Sequence, residues 1–365
     1  MTGARTQGPV RIVGAGLLGA SIGLALRALG VDVILADVSP SAVRLAIDYG
    51  AGRAAEADDR PKLIVVCVPP DLVASIVAAE LSAYSDALVT DVASVKLGPL
   101  RELHELGADV SRYVGSHPMA GRERGGAVSA RVDLFVGRPW VIANHDEIAD
   151  RRSADSVIEA LALDLGAVPV ELDAAEHDRS VALVSHVPQV ISSLLAARLS
   201  DASTSAVELA GQGLRDTTRI ASSEPELWVQ ILGANAGPVV DILHRYRDDL
   251  DRVIAALDAP SAPGSRRAVA ETIAGGNAGV ARIPGKHGQA KHFAQLIIMV
   301  PDKPGELARL LTEIGDAGVN MEDLRLEHSP GAQVGFAEIS VIPEAEERLL
   351  AELQLRGWKI AGAFA

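Results

Sequence analysis

The sequence predicts an α/β chain in three parts: a doubly wound parallel sheet, an all-helical middle, and a small α+β unit at the C-terminus. Three observations carry this. Short apolar runs alternate with helical stretches up to about residue 172, which is the pattern of a parallel sheet with helices on both faces. Between residues 173 and 257 long helical patterns dominate, with no clear strand. From residue 293 strand and helix runs alternate again in the order βαββαβ, the ferredoxin-like topology. The expected boundaries are 1–172, 173–290 and 291–365. A chain of 365 residues is too long for one ordinary core, so several are expected.

In order, Val10–Val13 reads as a strand, followed by a glycine-rich turn and the amphipathic segment Ala20–Leu29. Val31–Ala36 reads as a second strand ending at Asp37. Further strands are expected at Leu63–Val68, Leu88–Asp91, Tyr113–Ser116 and Trp140–Ala143. Val181–Leu199 and Trp228–Leu257 carry helical periodicity. Residues 258–292 are rich in Gly, Pro and small side chains and read as a linker or irregular flap. In the last part, strands are expected at Phe293–Val300, near Asp323–Glu327, at Phe336–Ile342 and at Trp358–Ala361, with helices at Gly305–Ala317 and Glu344–Leu355.

Aromatic residues make up only 3% of the chain, so its cores must be built from Ala, Val, Leu and Ile. The net charge of −14 argues against a nucleic-acid or anionic-membrane partner, since both require a basic face. It also means that an anionic substrate must be held by local Arg or Lys. Cys67 is the single cysteine and lies in an apolar run, which fits packing in a reducing cytoplasm. The N-terminal MTGARTQGP has no apolar leader core, and no run of about 18 uncharged apolar residues suggests a membrane span. No metal site is expected.

Gly14-Ala15-Gly16-Leu17-Leu18-Gly19 matches G-x-G-x-x-G between a strand and a helix, the context of a Rossmann dinucleotide site. Gly14 permits the tight turn, Gly16 lets the backbone approach a pyrophosphate, and Gly19 lets the helix pack on the sheet. The helix start at Leu17 and Leu18 offers free N–H groups to phosphate. Asp37, 18 residues after Gly19, would accept hydrogen bonds from the ribose 2′-hydroxyl and repel a 2′-phosphate. The expected cofactor is therefore NAD. Val68 and Pro69 would sit beside the nicotinamide, although a plain turn explains them as well.

Three further clusters stand out. Asp91-Val92-Ala93-Ser94-Val95-Lys96 and Ser116-His117-Pro118-Met119-Ala120-Gly121-Arg122-Glu123 each follow a strand. Ligands bind at the carboxyl ends of such strands, so Ser94, Lys96 and His117 are expected to face the nicotinamide. The third cluster comprises His177-Asp178, Ser185-His186-Val187-Pro188-Gln189 and the run from Gly211 to Ala221. Arg219 within it is a natural carboxylate clamp, weighed against a surface salt bridge.

Together these segments resemble the prephenate/arogenate dehydrogenase family: GAGLLGAS at 14–21, DVASVK at 91–96, HPMAGRE at 117–123, LFVGRPW at 134–140, SHVP at 185–188 and RDTTRIA at 215–221, with Trp228 and Asn235 downstream. The resemblance implies an NAD-dependent oxidative decarboxylation on the route to tyrosine. It assigns His117 to the ring hydroxyl, Ser94 to orienting it and Arg219 to a substrate carboxylate. Glu123 and Arg215 would shape the entrance or side-chain pocket, and His177 and His186 would support the site. It also implies a homodimer built through the helical part. Many prephenate-specific members carry a second His where this chain has Gln189, so the substrate is prephenate or its amino analogue arogenate. Competing readings are another Rossmann oxidoreductase, such as a β-hydroxyacid dehydrogenase or imine reductase, and a non-catalytic sensor of NAD and an amino acid.

The last part, with Val300-Pro301-Asp302-Lys303-Pro304-Gly305-Glu306-Leu307 between its first strand and helix, resembles an ACT regulatory domain. That resemblance implies tyrosine as effector, contacted by Pro304, Gly305 and Asn320. A domain that only dimerises or stabilises is the alternative.

Overall fold

The computed structural model describes residues 3–121, 125–283, 293–328 and 334–364. They form two compact units, residues 1–201 with 218–246, and residues 202–217 with 247–365.

In the first unit β1 (Val10–Val13), α1 (Leu17–Ala28), β2 (Val33–Ala36), α2 (Pro40–Asp48), β3 (Arg53–Ala54), β4 (Leu63–Val66), α3 (Pro70–Ala83), β5 (Leu88–Asp91), α4 (Leu97–Glu105) and β6 (Tyr113–Pro118) follow in turn. Then come β7 (Pro139–Asn144), α5 (Arg151–Asp164) and β8 (Val168–Asp173). The eight strands lie in the order β3-β2-β1-β4-β5-β6-β7-β8. Alternate residues bury on opposite faces: Val10, Ile12, Leu63 and Val65 join one core, and Val13, Ile64 and Val66 join another. This two-sided burial explains why β4 reads as an unbroken apolar run.

The sheet is parallel from β3 through β6, as expected, and reverses beyond it. β7 runs antiparallel to β6, and β8 is parallel to β7. The connection from Met119 to Arg138 contains only a short 3₁₀ turn at Ala127–Ser129 among its described residues. Without a crossover helix the chain cannot return to the start of the sheet, so it comes back in the opposite sense.

The remainder of this unit is helical: α6 (Ala174–Val181), a π-helical turn at Ala182–His186 and α7 (Val187–Ala197) run as one continuous helix. The expected helix 181–199 thus starts earlier and carries a bulge. Pro188 has no N–H for the carbonyl of Val184, which is where the ladder widens. Ala174–Ala197 is long and apolar enough to cross a membrane, which the sequence reading did not anticipate. Its buried polar residues His177, Asp178, His186 and Gln189 fit an interior helix instead.

The expected helix 228–257 is broken. α10 (Pro225–Ala234) ends at Asn235, and α11 (Ala236–Asp258) begins beyond it and continues into the second unit. Residues on both sides of position 172 pack in the first unit, because α6 bonds directly to the loop after β5 and to the end of β6.

The second unit holds α8 (Thr204–Glu208), α9 (Gln212–Thr218) and α12 (Ser265–Val280). α12 corrects the reading of 258–292 as linker. Gly264, at φ +92°, supplies the turn into it, and Arg267 pairs with Glu271 one turn on at 2.7 Å. The interior glycines Gly275 and Gly276 had suggested a loop, but they only weaken a helix. β9 (Ala294–Pro301), α13 (Glu306–Asp316), β10 (Asp323–His328), β11 (Val334–Val341), α14 (Pro343–Leu355) and β12 (Lys359–Phe364) complete the unit. The antiparallel order β10-β11-β9-β12 is the ferredoxin-like arrangement expected from the sequence. Leu296, Ile298 and Ile339 pack with Leu310, Ile314, Leu349 and Leu353 in its core.

Candidate functional site

The parallel strands β1, β4, β5 and β6 all end on one edge of the first sheet. The glycine turn stands at that edge, between the ends of β1 and β4. Gly14 has φ +106°, and a Cβ there would lie 2.2 Å from the carbonyl oxygen of Cys67. A Cβ on Gly19 would lie 2.0 Å from the oxygen of Gly14, so both positions require glycine. Gly16, in contrast, faces open space ahead of α1, whose first turn includes Leu17 and Leu18. That opening leaves helix N–H groups accessible to a pyrophosphate. Asp37 accepts from the N–H groups of Ala15 and Ser39, both at 2.8 Å, which fixes its carboxylate beside the turn. Val68 and Pro69 follow β4, with Pro69 capping α3. This arrangement fits a dinucleotide with a free ribose diol.

The polar centre lies where β5, β6 and α6 meet. His117, at the end of β6, is 8% exposed and its Nδ1 lies 2.9 Å from Nε2 of His177. His177 Nδ1 is 2.8 Å from Oδ1 of Asp178. The same carboxylate accepts from the backbone N–H groups of Lys96 and Leu97, at 2.8 and 2.9 Å. The loop carrying half-buried Ser94 is therefore tied to the helix that bonds His117.

Burial holds the His117 imidazole well below its usual pKa, and His177, Lys96 and His186 act in the same direction. His117 is neutral at physiological pH, as an acceptor for a hydroxyl proton must be. His186 is pushed down to about 4, chiefly by burial. Its Nδ1 is 3.1 Å from Nδ2 of Asn235, which also donates to the Asp178 carbonyl at 2.8 Å. The His186 ring meets Trp228 edge-on, with centroids 6.1 Å apart.

One expected substrate ligand is corrected. Lys96 is 2% exposed, and its ammonium pairs with Asp91 and donates to the Ser116 carbonyl at 2.7 Å. Tyr113 donates its hydroxyl to Asp91 at 2.7 Å. Lys96 thus supports the floor of the site and has no charge to offer a substrate. Burial lowers its pKa, opposed by Asp91.

Arg219 lies on an exposed 3₁₀ turn, Arg219–Ala221, that packs against α7. It makes no ion pair among the described residues, unlike the surface salt bridge that was the alternative for it. Ser223 links the two segments, bonding Gln189 Oε1 at 3.4 Å and the Ile220 carbonyl at 2.7 Å. Gln189 is buried, with its amide nitrogen 3.4 Å from Ser193 Oγ. Arg215, on α9, belongs to the second unit. Glu123 lies outside the described residues.

In the ferredoxin-like unit Pro304 and Gly305 make the turn into α13, with Gly305 at φ +90° as its N-cap. Asn320 follows α13 and its amide lies 3.4 Å from Glu322 Oε1. Among the described residues no group of three His, Cys, Asp or Glu side chains is placed to hold a metal.

Sequence reasoning did not assign roles to Asp91, Tyr113, Asp178 or Asn235. Asp178 sat beside a flagged His, and Asn235 interrupts an apolar helical pattern. Both were visible as oddities without a stated partner.

Comparison with known proteins agrees with this layout. The nucleotide-binding domain of prephenate dehydrogenases matches residues 22–170, and the prephenate dehydrogenase dimerization domain matches residues 173–269. "Probable prephenate dehydrogenase NovF" of Streptomyces niveus is 39% identical over 359 residues, covering 95% of this chain and 98% of that one. A cyclohexadienyl dehydrogenase of Zymomonas mobilis is 28% identical over 263 residues, 68% of this chain and 88% of its own. The crystal structure of Synechocystis arogenate dehydrogenase superposes with a TM-score of 0.61 at 28% identity, covering 74% of this chain and 99% of that one. With both domains matched and a relative similar over nearly its whole length, the chain belongs to the prephenate dehydrogenase family of NAD-dependent oxidoreductases.

Proposed function

We propose that this chain converts prephenate to 4-hydroxyphenylpyruvate with NAD⁺, in the cytoplasm and as a homodimer. The observation that carries the reading is a buried, neutral His117 at the strand edge that also presents the glycine turn. As the carbon bearing the ring hydroxyl gives up its hydride, His117 takes the hydroxyl proton. Ser94 orients that hydroxyl. Loss of the ring carboxylate as CO₂ makes the ring aromatic, and the proton on His117 returns to the phenolic oxygen. Bound NAD⁺ supplies the hydride acceptor. Arg219 holds a substrate carboxylate, a local cation in a chain of net charge −14. Gln189 and His186 border the side-chain pocket.

Arogenate is the second reading. Gln189 stands where prephenate-specific relatives carry His, and a structural neighbour is named an arogenate dehydrogenase. The test is NADH formation from each substrate with NAD⁺ and with NADP⁺. Turnover of prephenate with NAD⁺ preferred is expected. Faster turnover of arogenate would establish the second reading, preference for NADP⁺ would contradict the role of Asp37, and turnover of neither would favour a sensor.

Functionally, residues 1–172 serve the cofactor, 173–290 the substrate and dimer contacts, and 291–365 regulation as an ACT domain. The βαββαβ order and the Pro304-Gly305 turn support the last assignment. Tyrosine would bind near Pro304, Gly305 and Asn320. Tyrosine should inhibit the full chain, and deletion after residue 290 should remove that inhibition while activity survives. Equal inhibition of both forms would point to competition at the active site.

A further inference from the structure

We infer that Asp178, acting through His177, is a positioning residue that fixes the tautomer of His117 and so decides which of its nitrogens is bare toward the substrate. This rests on the proposed reaction only for its consequence in turnover. The tautomer itself follows from the hydrogen-bond pattern around a neutral His117 and does not depend on the reaction.

The chain of reasoning starts at Asp178, which is 2% exposed. Its carboxylate accepts a backbone N–H bond on each oxygen, from Lys96 and Leu97, and so presents itself as an acceptor. The 2.8 Å contact from Oδ1 to His177 Nδ1 must then be donated by the ring, and His177 carries its proton on Nδ1. A ring whose single proton is on Nδ1 has a bare Nε2. The 2.9 Å contact there must be donated by His117 Nδ1–H. His117, held neutral by its surroundings, is left with an unprotonated Nε2. That atom has no hydrogen-bond partner among the described residues, and it is the nitrogen able to accept a hydroxyl proton.

The arrangement has a second effect. When His117 takes a proton, the new charge arises near buried Lys96, which opposes it. Asp178 is the carboxylate joined to the ring through His177, and it offsets that charge. Asp91, the other buried carboxylate nearby, is occupied by Lys96 and Tyr113. His186, the third ring of the cluster, is bonded separately through Asn235. The dependence thus runs in one line, Asp178 to His177 to His117.

An amide at position 178 can donate as well as accept. Turned with its nitrogen toward His177 Nδ1, at the cost of the Lys96 N–H bond that Oδ1 accepts, it moves the His177 proton to Nε2. His117 Nδ1 then becomes the acceptor, and its proton moves to Nε2, where it blocks the reaction. Asp178→Asn should lower kcat about 10²–10⁴-fold, the range lost when a catalytic His is held in the wrong tautomer. NAD⁺ affinity should change less than about threefold. His177→Ala should cost a similar factor, and adding Asp178→Asn to it should cost little more. A purely structural Asp178 would give losses that multiply.

The decisive measurement is two-bond ¹H–¹⁵N correlation of ¹⁵N-histidine-labelled protein saturated with NAD⁺, with His117 assigned by its loss in His117→Asn. Protonation on Nδ1 is expected in the native chain and on Nε2 in Asp178→Asn. An Nε2–H tautomer in the native chain overturns the inference even if Asp178→Asn fails to fold, and so do multiplicative losses in the double variant. A native Nδ1–H tautomer in a chain that turns over neither substrate supports the relay while refuting the proposed reaction.

Discussion

Replacing Lys96 with Met separates a support role from a substrate contact. The ammonium is fully enclosed and neutralises Asp91, which has no exposure. Met fills a similar volume but leaves a buried carboxylate without its counter-charge. Breaking a buried pair from one side costs roughly 3–5 kcal/mol. Asp91 retains the Tyr113 hydroxyl at 2.7 Å and the Ala93 N–H at 2.8 Å, so the lower end, about 3 kcal/mol, is expected. At about 2–4 °C per kcal/mol, Tm should fall by roughly 6–12 °C. Differential scanning calorimetry reads this, and adding Asp91→Asn should recover much of it because the orphaned charge is gone. Lys96 also lowers the His117 pKa. Its removal should therefore shift the acid limb of kcat/KM to higher pH. Unchanged Tm with a raised substrate KM would refute the argument and return Lys96 to the substrate.

His117→Asn should reduce kcat about 10²–10⁴-fold with NAD⁺ binding preserved by fluorescence titration, and near-normal kcat would remove His117 from the chemistry. Arg219→Ala should raise substrate KM more than it lowers kcat, since a carboxylate clamp acts in ground and transition states alike; an unchanged KM would leave Arg219 without that role. Stability should fall with acid through His186. Its pKa is about 4 folded against 6.5 unfolded, so its contribution is complete above pH 6.5 and is lost as pH drops toward 4. At pH 5 that amounts to about 2 kcal/mol relative to pH 8, from 1.5 units at about 1.36 kcal/mol each. Urea unfolding of the native chain and His186→Asn at both pH values checks this, and an equal pH difference in the two would contradict it.

What the sequence determined by itself is what short-range chemistry specifies. Gly14 and Gly19 are demanded by a tight turn and by the close approach of α1 to it, within six residues, so their spacing is legible in one dimension. Asp37 and His117 were legible because a strand's end fixes which edge of the sheet they occupy. The βαββαβ order of the last part was legible from alternation alone. Tertiary structure decided the rest. The direction of β7 depends on whether its connection can cross the sheet, and the break at Asn235 depends on partners 57 and 49 residues away. Lys96 looked like a substrate cation because a five-residue separation from Asp91 does not reveal that the loop folds the ammonium back onto that carboxylate in the interior. Asp178 meets the N–H groups of Lys96 and Leu97 from 82 and 81 residues away. A hydrogen bond across such a separation leaves no periodicity or local propensity in the chain, because it forms only when folding brings the end of one strand against the flank of a distant helix.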